Sequence, residues 1–248
     1  MAKQSGLGDN LYFQGVNLSG DTNSIKKISG GPKPWEVTGI DKLAKERIGL
    51  NRDGAIDWVS YFNPTGAHPV LSALPATDQV ITYCRGTTLG NPAAAMVAKQ
   101  ANYDGNRTAD GGFLFDLSAM ANGFGLEWGV QLTAGQRTDT TATSPATGVD
   151  QTTVSTAFGW QAYLHVFAGF AGTSVTVTLQ DSADNSSFSN FGGGGGAFTA
   201  ATGITAQRLA SPGATDTVRR YVRAITTGTF TNAAFAVMFV RNLTAVTF

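Results

Sequence analysis

The chain has 248 residues, enough for one large β domain or two small ones, and only 14% of them are charged, against roughly 25% in typical soluble domains. Seventeen basic and seventeen acidic side chains cancel, which argues against a surface that neutralises many phosphates, and Cys84, the single cysteine, excludes an internal disulfide and any cysteine-rich zinc or iron–sulfur centre. No apolar run approaches the ~20 residues that span a bilayer and the amino terminus lacks a signal-peptide core, so the expectation is a chain that folds by packing alone in a cytoplasm, with no membrane partner.

Glycine, with 31 residues, and short Thr, Val, Ala and Phe runs favour strands and tight turns, so the expected class is all-β with minor α. Residues 1–34 read as a polar, glycine-punctuated arm with one strand at 10–18, too poor in apolar residues to order without a neighbour. Within it, Leu11-Tyr12-Phe13-Gln14-Gly15 spells the core of a commonly engineered protease site, with Asp9-Asn10 where that site has Glu-Asn. No polyhistidine precedes it, and the alternation runs on through Val16, Asn17 and Leu18; a native first strand is preferred, and an expression scar stays open at this point.

Residues 35–132 are expected to form a β domain: strands at 35–40 and 55–62, a helical turn or loop at 41–48, a turn at Asn63-Pro64, and a short helix at 68–74. Strands at 79–85, 93–103 and 112–121 follow. Residues 133–153, rich in Thr, Ala, Gly, Ser and Asp, read as a linker, and all seven lysines precede it. Residues 154–248 are expected to be a separate β-sandwich, with strands at 157–168, 174–180, 204–209, 217–226 and 233–241 and a core around Phe158, Trp160, Tyr163 and Phe167. Residues 181–187 read as a polar turn and 192–196 as a flexible glycine loop, and no internal repeat is evident.

The chain offers little chemistry. His68 and His165 fall in different modules, each reading as structural, and no serine sits in a Gly-x-Ser-x-Gly elbow. Cys84 reads as a small buried hydrophobe. The glycine loop at 192–196 lacks the Gly-Lys-Ser/Thr ending of a phosphate loop, and Asp181, Asp184 and Asn185 lack calcium-loop spacing. Arg219 and Arg223 share a strand face with Arg220 opposite, a modest stripe that reads as a solvated or subunit-contacting face. The expectation is therefore no catalytic, cofactor-binding or metal-binding residues, no cofactor and no enzymatic activity.

The run Trp35-Glu36-Val37-Thr38-Gly39-Ile40-Asp41, then Glu46-Arg47-Ile48-Gly49, Arg52-Asp53-Gly54-Ala55-Ile56-Asp57-Trp58 and Asn63-Pro64 resembles the major tail tube proteins of long-tailed bacteriophages. Gly111 to Asp116 and Gly123 to Trp128 resemble that family's closing strand and glycine-rich exit, so the likeness covers roughly residues 8–132. It implies a β-barrel or sandwich subunit with one short helix, forming hexameric rings that stack into a hollow tube through which DNA passes, with a β-sandwich at 154–248 added. The implied partners are copies of itself, other tail proteins and DNA in transit without specific binding, and the implied location is the virion tail after assembly in a host cytoplasm.

Such a tube is expected to use unpaired strand edges as interfaces. Through residue 135 there are eleven basic against twelve acidic side chains, so no dominant positive field would hold DNA in place. The alternative is a carbohydrate- or host-binding module that presents Phe188, Phe191 or Phe198 beside the glycine loop.

Overall fold

The computed structural model describes residues 5–192 and 195–245. The protein is nearly all β, as composition led us to expect, with sixteen strands and one short helix among those residues. The strands are β1 (Asn10–Phe13), β2 (Val16–Asn17), β3 (Thr22–Glu36), β4 (Arg47–Tyr61), β5 (Gln79–Cys84), β6 (Pro92–Gln100), β7 (Asp104–Arg107) and β8 (Phe113–Ala121). They continue as β9 (Glu127–Gln131), β10 (Arg137–Asp139), β11 (Val149–Asp150), β12 (Trp160–Val166), β13 (Ala171–Ser182), β14 (Ser189–Asn190), β15 (Thr205–Ala210) and β16 (Tyr221–Arg241), with α1 at Ala67–Leu71.

The chain divides into two compact units, and neither is continuous in sequence. One comprises Met1–Gly20, Val80–Ala95 and Trp128–Phe248; the other comprises Asp21–Gln79 and Met96–Glu127. The sequence-based boundaries after residues 34, 132 and 153 do not coincide with this division. The segment 154–248 shares its unit with the first twenty residues and with 80–95.

The first unit is organised on β16, a 21-residue strand. Its first half pairs antiparallel with β13 and its second half with β12, while β10 and β11 pair with it as well. The two strands expected at 217–226 and 233–241 are thus one. The intervening Thr227-Gly228-Thr229-Phe230-Thr231-Asn232 reads as a turn because it is polar and holds a glycine, yet threonine suits a pleated strand and Phe230 is buried. Gly228 supplies the bend: its φ is +116°, and a Cβ there would lie 2.4 Å from the Ser174 carbonyl oxygen. Trp160, Leu164, Val177, Leu179, Phe235, Val237 and Phe239 lie at the centre of the core. Tyr163 and Phe167 are buried as expected, whereas Phe158 is only half-buried.

Two further expectations need correction here. The polar stretch 133–153 is not a bare linker, because β10 and β11 lie within it and Asp139 is buried. Arg137 donates to Asp139 at 2.6 and 2.8 Å and Thr226 at 2.7 Å, which satisfies that carboxylate. The 1–34 arm, of which residues 1–4 lie outside the described residues, is not unstructured either. Leu11, Tyr12, Phe13 and Leu18 are buried, β1 pairs with β5 from Asn10↔Cys84 to Phe13↔Ile81, and β1 and β2 form a hairpin through Phe13↔Val16. Four well-placed apolar side chains suffice where composition alone suggested too few.

The turn of that hairpin is Gln14-Gly15, both at positive φ (+47° and +79°), the two-residue geometry that matches strand twist. A Cβ on Gly15 would lie 2.7 Å from the Val166 carbonyl oxygen, so glycine is required there twice over. This burial weighs for a native strand over an expression scar. A protease specific for the Glu-Asn-Leu-Tyr-Phe-Gln-Gly type of sequence needs an extended, accessible segment. At neutral pH it is expected to leave the native chain intact at Gln14–Gly15 while cutting a free peptide of residues 7–20. Cleavage of the native chain at the peptide's rate would show that the hairpin is not docked.

In the second unit β4 is central, pairing with β3 along its length and with β8 over Ala55–Tyr61. Strands β6 and β7 flank β8. Ile56, Trp58, Leu117 and Ala119 are buried, and α1 lies about where a helix was expected, with Ala67 and Leu71 inward. Its first turn is fixed by Asp21, which accepts the Ala67 N–H at 2.9 Å and the Asn63 amide at 2.9 and 3.1 Å.

Candidate assembly surface

Strands β3 and β4 form a hairpin with two different halves. The inner half, up to the cross-strand pair Gly30↔Gly54, is buried or half-buried along β4 as far as Ser60: a Cβ on either glycine would come within 2.7 Å of the Leu126 Cβ, so the pair is the seat on which Leu126 packs. Beyond it, among the described residues, no strand pairs with β4 on the side where β8 ends, and Arg47–Asp53 are all exposed. Strand β3 runs to Glu36, the turn occupies 37–46, and β4 begins at Arg47, where the sequence suggested a strand at 35–40 and a helical turn or loop at 41–48. The Asp-Lys-Leu-Ala-Lys-Glu segment has helical character, but a six-residue helix with no packed face is not stable in water.

The tip satisfies its own polar groups. Val37 donates its N–H to the Glu46 carbonyl at 2.9 Å, Glu46 its N–H to the Thr38 hydroxyl at 3.0 Å, and Lys45 reaches Glu36 at 2.9 Å. Its apolar groups are left over. Trp35 (57% exposed) and Ile48 (46%) are cross-strand partners and so share a face, Val37 follows two residues after Trp35, and Leu50, Ile40 and Leu43 are exposed too. Covering such side chains is worth about 1.5–3 kcal/mol each. Six exposed on one hairpin is a large number of uncovered apolar side chains for one element.

The free edge of β3 is a different matter. It carries Lys26, Lys27, Lys33, Pro32 and Pro34 and three register shifts, all of which block edge-to-edge pairing. The expectation that an open edge serves as the interface therefore does not fit β3; the apolar face of its distal half is the sticky element.

The residues weighed for chemistry are dispersed and committed elsewhere. The His68 Nδ1 lies 2.9 Å from the Tyr103 hydroxyl in a cluster of rings with Phe62 and Phe115. His165 is buried in the other unit. Cys84 is buried, and loss of solvent, with Asp9 contributing, pushes its thiol up to about 12, the reverse of an activated nucleophile.

Arg219 occupies Asp181, donating from Nε at 2.9 Å and from its backbone N–H at 2.8 Å. The Asp184 carboxylate accepts the Ser182 hydroxyl at 2.6 Å and the Ser187 and Ser186 N–H groups at 2.8 and 2.9 Å, which hold its pKa well below the usual carboxylate range. Asn185 accepts from the Gly148 N–H at 2.8 Å. These three do not converge on a cation, and among the described residues no group of three or more His, Cys, Asp and Glu is arranged to hold a metal.

The arginine stripe keeps its expected alternation but is spent within the chain, and only Arg223 of the three lies in β16. Arg219 and Arg223 face β13 through Asp181 and Gln180, while Arg220 grips Asp150 of β11 at 2.7 and 2.8 Å and holds that carboxyl down to about 2. Of the aromatics proposed to bind carbohydrate, Phe191 and Phe198 are buried core residues and Phe188 lies under the Arg223 guanidinium, 3.9 Å from ring centre. That alternative thus loses the residues that were to carry it. Gly193 and Gly194 of the glycine loop lie outside the described residues. No described helix is long and apolar enough to cross a membrane.

No family model matches the chain, and no curated protein matches it. Among solved structures it is similar to a chain of the virion of a native gene transfer agent particle, at 12% identity and a TM-score of 0.41 over 51% of this chain and 98% of that one. It is also similar to the Dit protein of phage SPP1, from the hub adsorption apparatus of phages that infect Gram-positive hosts. There the identity is 13% and the TM-score 0.33, over 95% of this chain and 99% of that one.

Proposed function

We propose that the protein is a structural subunit of a phage tail, and specifically a tail tube subunit that assembles with copies of itself into stacked rings, six subunits to a ring. The observation that carries the reading is the distal β3–β4 hairpin. A long element that is internally satisfied in its polar groups and unsatisfied in its apolar ones gains by being covered, and a second copy is the cover that every solution of the protein supplies. Of the tail-tube-like residues, Trp35 to Asp41 and Glu46 to Gly49 lie on its exposed distal part, while Arg52 to Trp58 runs from there into the buried inner half of β4, so the resemblance and the exposed surface overlap in part. Balanced charge and arginines already engaged by Asp181, Gln180 and Asp150 suit a conduit that lets DNA pass without holding it. Other tail proteins would meet the ends of the tube, in the virion, after assembly in the host cytoplasm.

The test is negative-stain electron microscopy with sedimentation velocity on the purified full chain over a concentration series. Rings or tubes are the expected result. A monomer that persists to millimolar concentration would overturn the reading.

A further inference from the structure

His165 sits at one joint of the first unit. It lies on β12, 1% exposed, with its Nδ1 3.2 Å from the Gly15 backbone nitrogen and its Nε2 2.9 Å from the Thr82 hydroxyl of β5. Because the Gly15 N–H can only donate, Nδ1 is the acceptor, and the ring's one proton is on Nε2, directed at Thr82. The ring of Tyr12 packs against it at 5.9 Å and that of Phe167 stacks on it at 6.4 Å. One neutral imidazole thus fastens the β1–β2 turn to β12 and to β5 together.

We propose that the β1–β2 hairpin is an acid-released latch: protonation of His165 puts a second donor where Gly15 needs an acceptor, and residues 10–18 leave β5 and β12 while β12, β13 and β16 stay paired. The contacts that would be lost are local to the hairpin: four residue pairs with β5, the Gln14 N–H on the Val80 carbonyl, the Val80 N–H on the Gln14 side chain, the Gly15 bond to His165 and the burial of Leu11, Tyr12, Phe13 and Leu18. The strands beneath keep ladders of their own, with seven residue pairs between β12 and β16.

The side chains that meet the ring offer no counter-charge. Tyr12 is buried with its pKa raised, and Phe167 and Thr82 are neutral; Cys84, two residues along β5 from Thr82, is buried with its thiol pKa raised too, and the cross-strand neighbours of His165 are Ala206 on β15 and Ala236 on β16. The charged groups on the surrounding elements are committed elsewhere. Arg208 is bonded to the Tyr163 hydroxyl, Arg137 to Asp139, and Arg241 to the backbone of Gln151–Val154. Arg85 pairs with Asp9, just before β1, which also accepts the Gly86 N–H.

Burial pulls the basicity of His165 down to about 3 in the docked state, against about 6.5 once released. The docked hairpin therefore has its full stability above about pH 6.5. It loses ground about tenfold in the docking equilibrium for each pH unit down to about 3, because only the released form takes the proton.

Amide hydrogen exchange on the full chain between pH 7 and 4, corrected for intrinsic exchange, reads this directly. Protection at Gln14, Gly15 and Leu18 is expected to fall about tenfold per pH unit below 6.5, with Val175 and Leu179 unchanged. His165→Gln should flatten that slope and Asp9→Asn should leave it. A flat wild-type profile, parallel loss at Val175 and Leu179, or a slope that follows Asp9 would each overturn the proposal. Should His165→Gln not fold, the wild-type imidazole nitrogens are titrated by NMR, and a pKa near 6.5 with the hairpin still protected overturns it equally.

Discussion

A chain ending at Thr133 is expected to lose the fold of its first twenty residues, although none of them is removed. Of the first unit's core cluster only Leu132 would remain, because the other members lie beyond residue 133. Tyr12 would lose the Phe167 ring at 5.1 Å and His165 beside it, and Gly15 would lose the acceptor for its N–H. Tyr12, now buried, would face water at about 1.5–3 kcal/mol. A four-residue strand with a two-residue partner has little with which to offset that loss.

Residues 21–79 and 96–127, by contrast, keep all of their own strands in such a chain. A nitrogen–proton correlation spectrum should show dispersed resonances for that unit and random-coil positions for residues 5–20 and 80–95. Dispersed resonances with exchange protection at Leu11 to Phe13 would defeat this expectation. They would also restore the picture of a complete module before residue 133.

Alternation at 55–62, 79–85 and 112–121 is local, and strands β4, β5 and β8 cover all but one residue of each range. Which strands share a core is not local. Tyr12 meets His165 and Phe167 across about 150 residues of chain, and nothing in the spacing of any of them announces it.

The same holds for the polar stretches. Asp139 looked like linker material because its partners, Arg137 and Thr226, are a local and a distant residue whose pairing only the fold creates. The distal hairpin was hidden for the opposite reason. Residues 30–36 and 47–54 carry glycine, proline and charge and bury almost nothing, so no hydrophobic period marks them as strands. Yet backbone pairing holds them from Gly30↔Gly54 to Glu36↔Arg47. The apolar side chains there were visible; that they stand unburied was not.

Charging the exposed face of that hairpin is expected to abolish assembly and leave the subunit folded. In Trp35→Asp/Ile48→Asp the two altered residues are cross-strand partners in the distal half, beyond the Gly30–Gly54 pair on which Leu126 packs, so neither contributes to a core. Losing that cross-strand pair and setting two like charges opposite each other costs about 1 kcal/mol within the hairpin, so the melting temperature should fall by about 2–4 °C while the subunit stays folded. Between subunits the balance is different.

Each contact that covers this face forgoes about 1.5–3 kcal/mol for each of two large apolar side chains and must also strip water from two carboxylates. A loss of about 4 kcal/mol per contact raises the concentration needed for assembly roughly a thousandfold. Every subunit in a tube makes the contact, so the transition should be all or none by sedimentation and microscopy. Val154→Asp, an equally drastic change at an exposed position of the other unit, should assemble as the unaltered protein does. If Trp35→Asp/Ile48→Asp formed tubes at the unaltered concentration, the hairpin would have no part in assembly, and the tail tube reading would lose the observation that carries it.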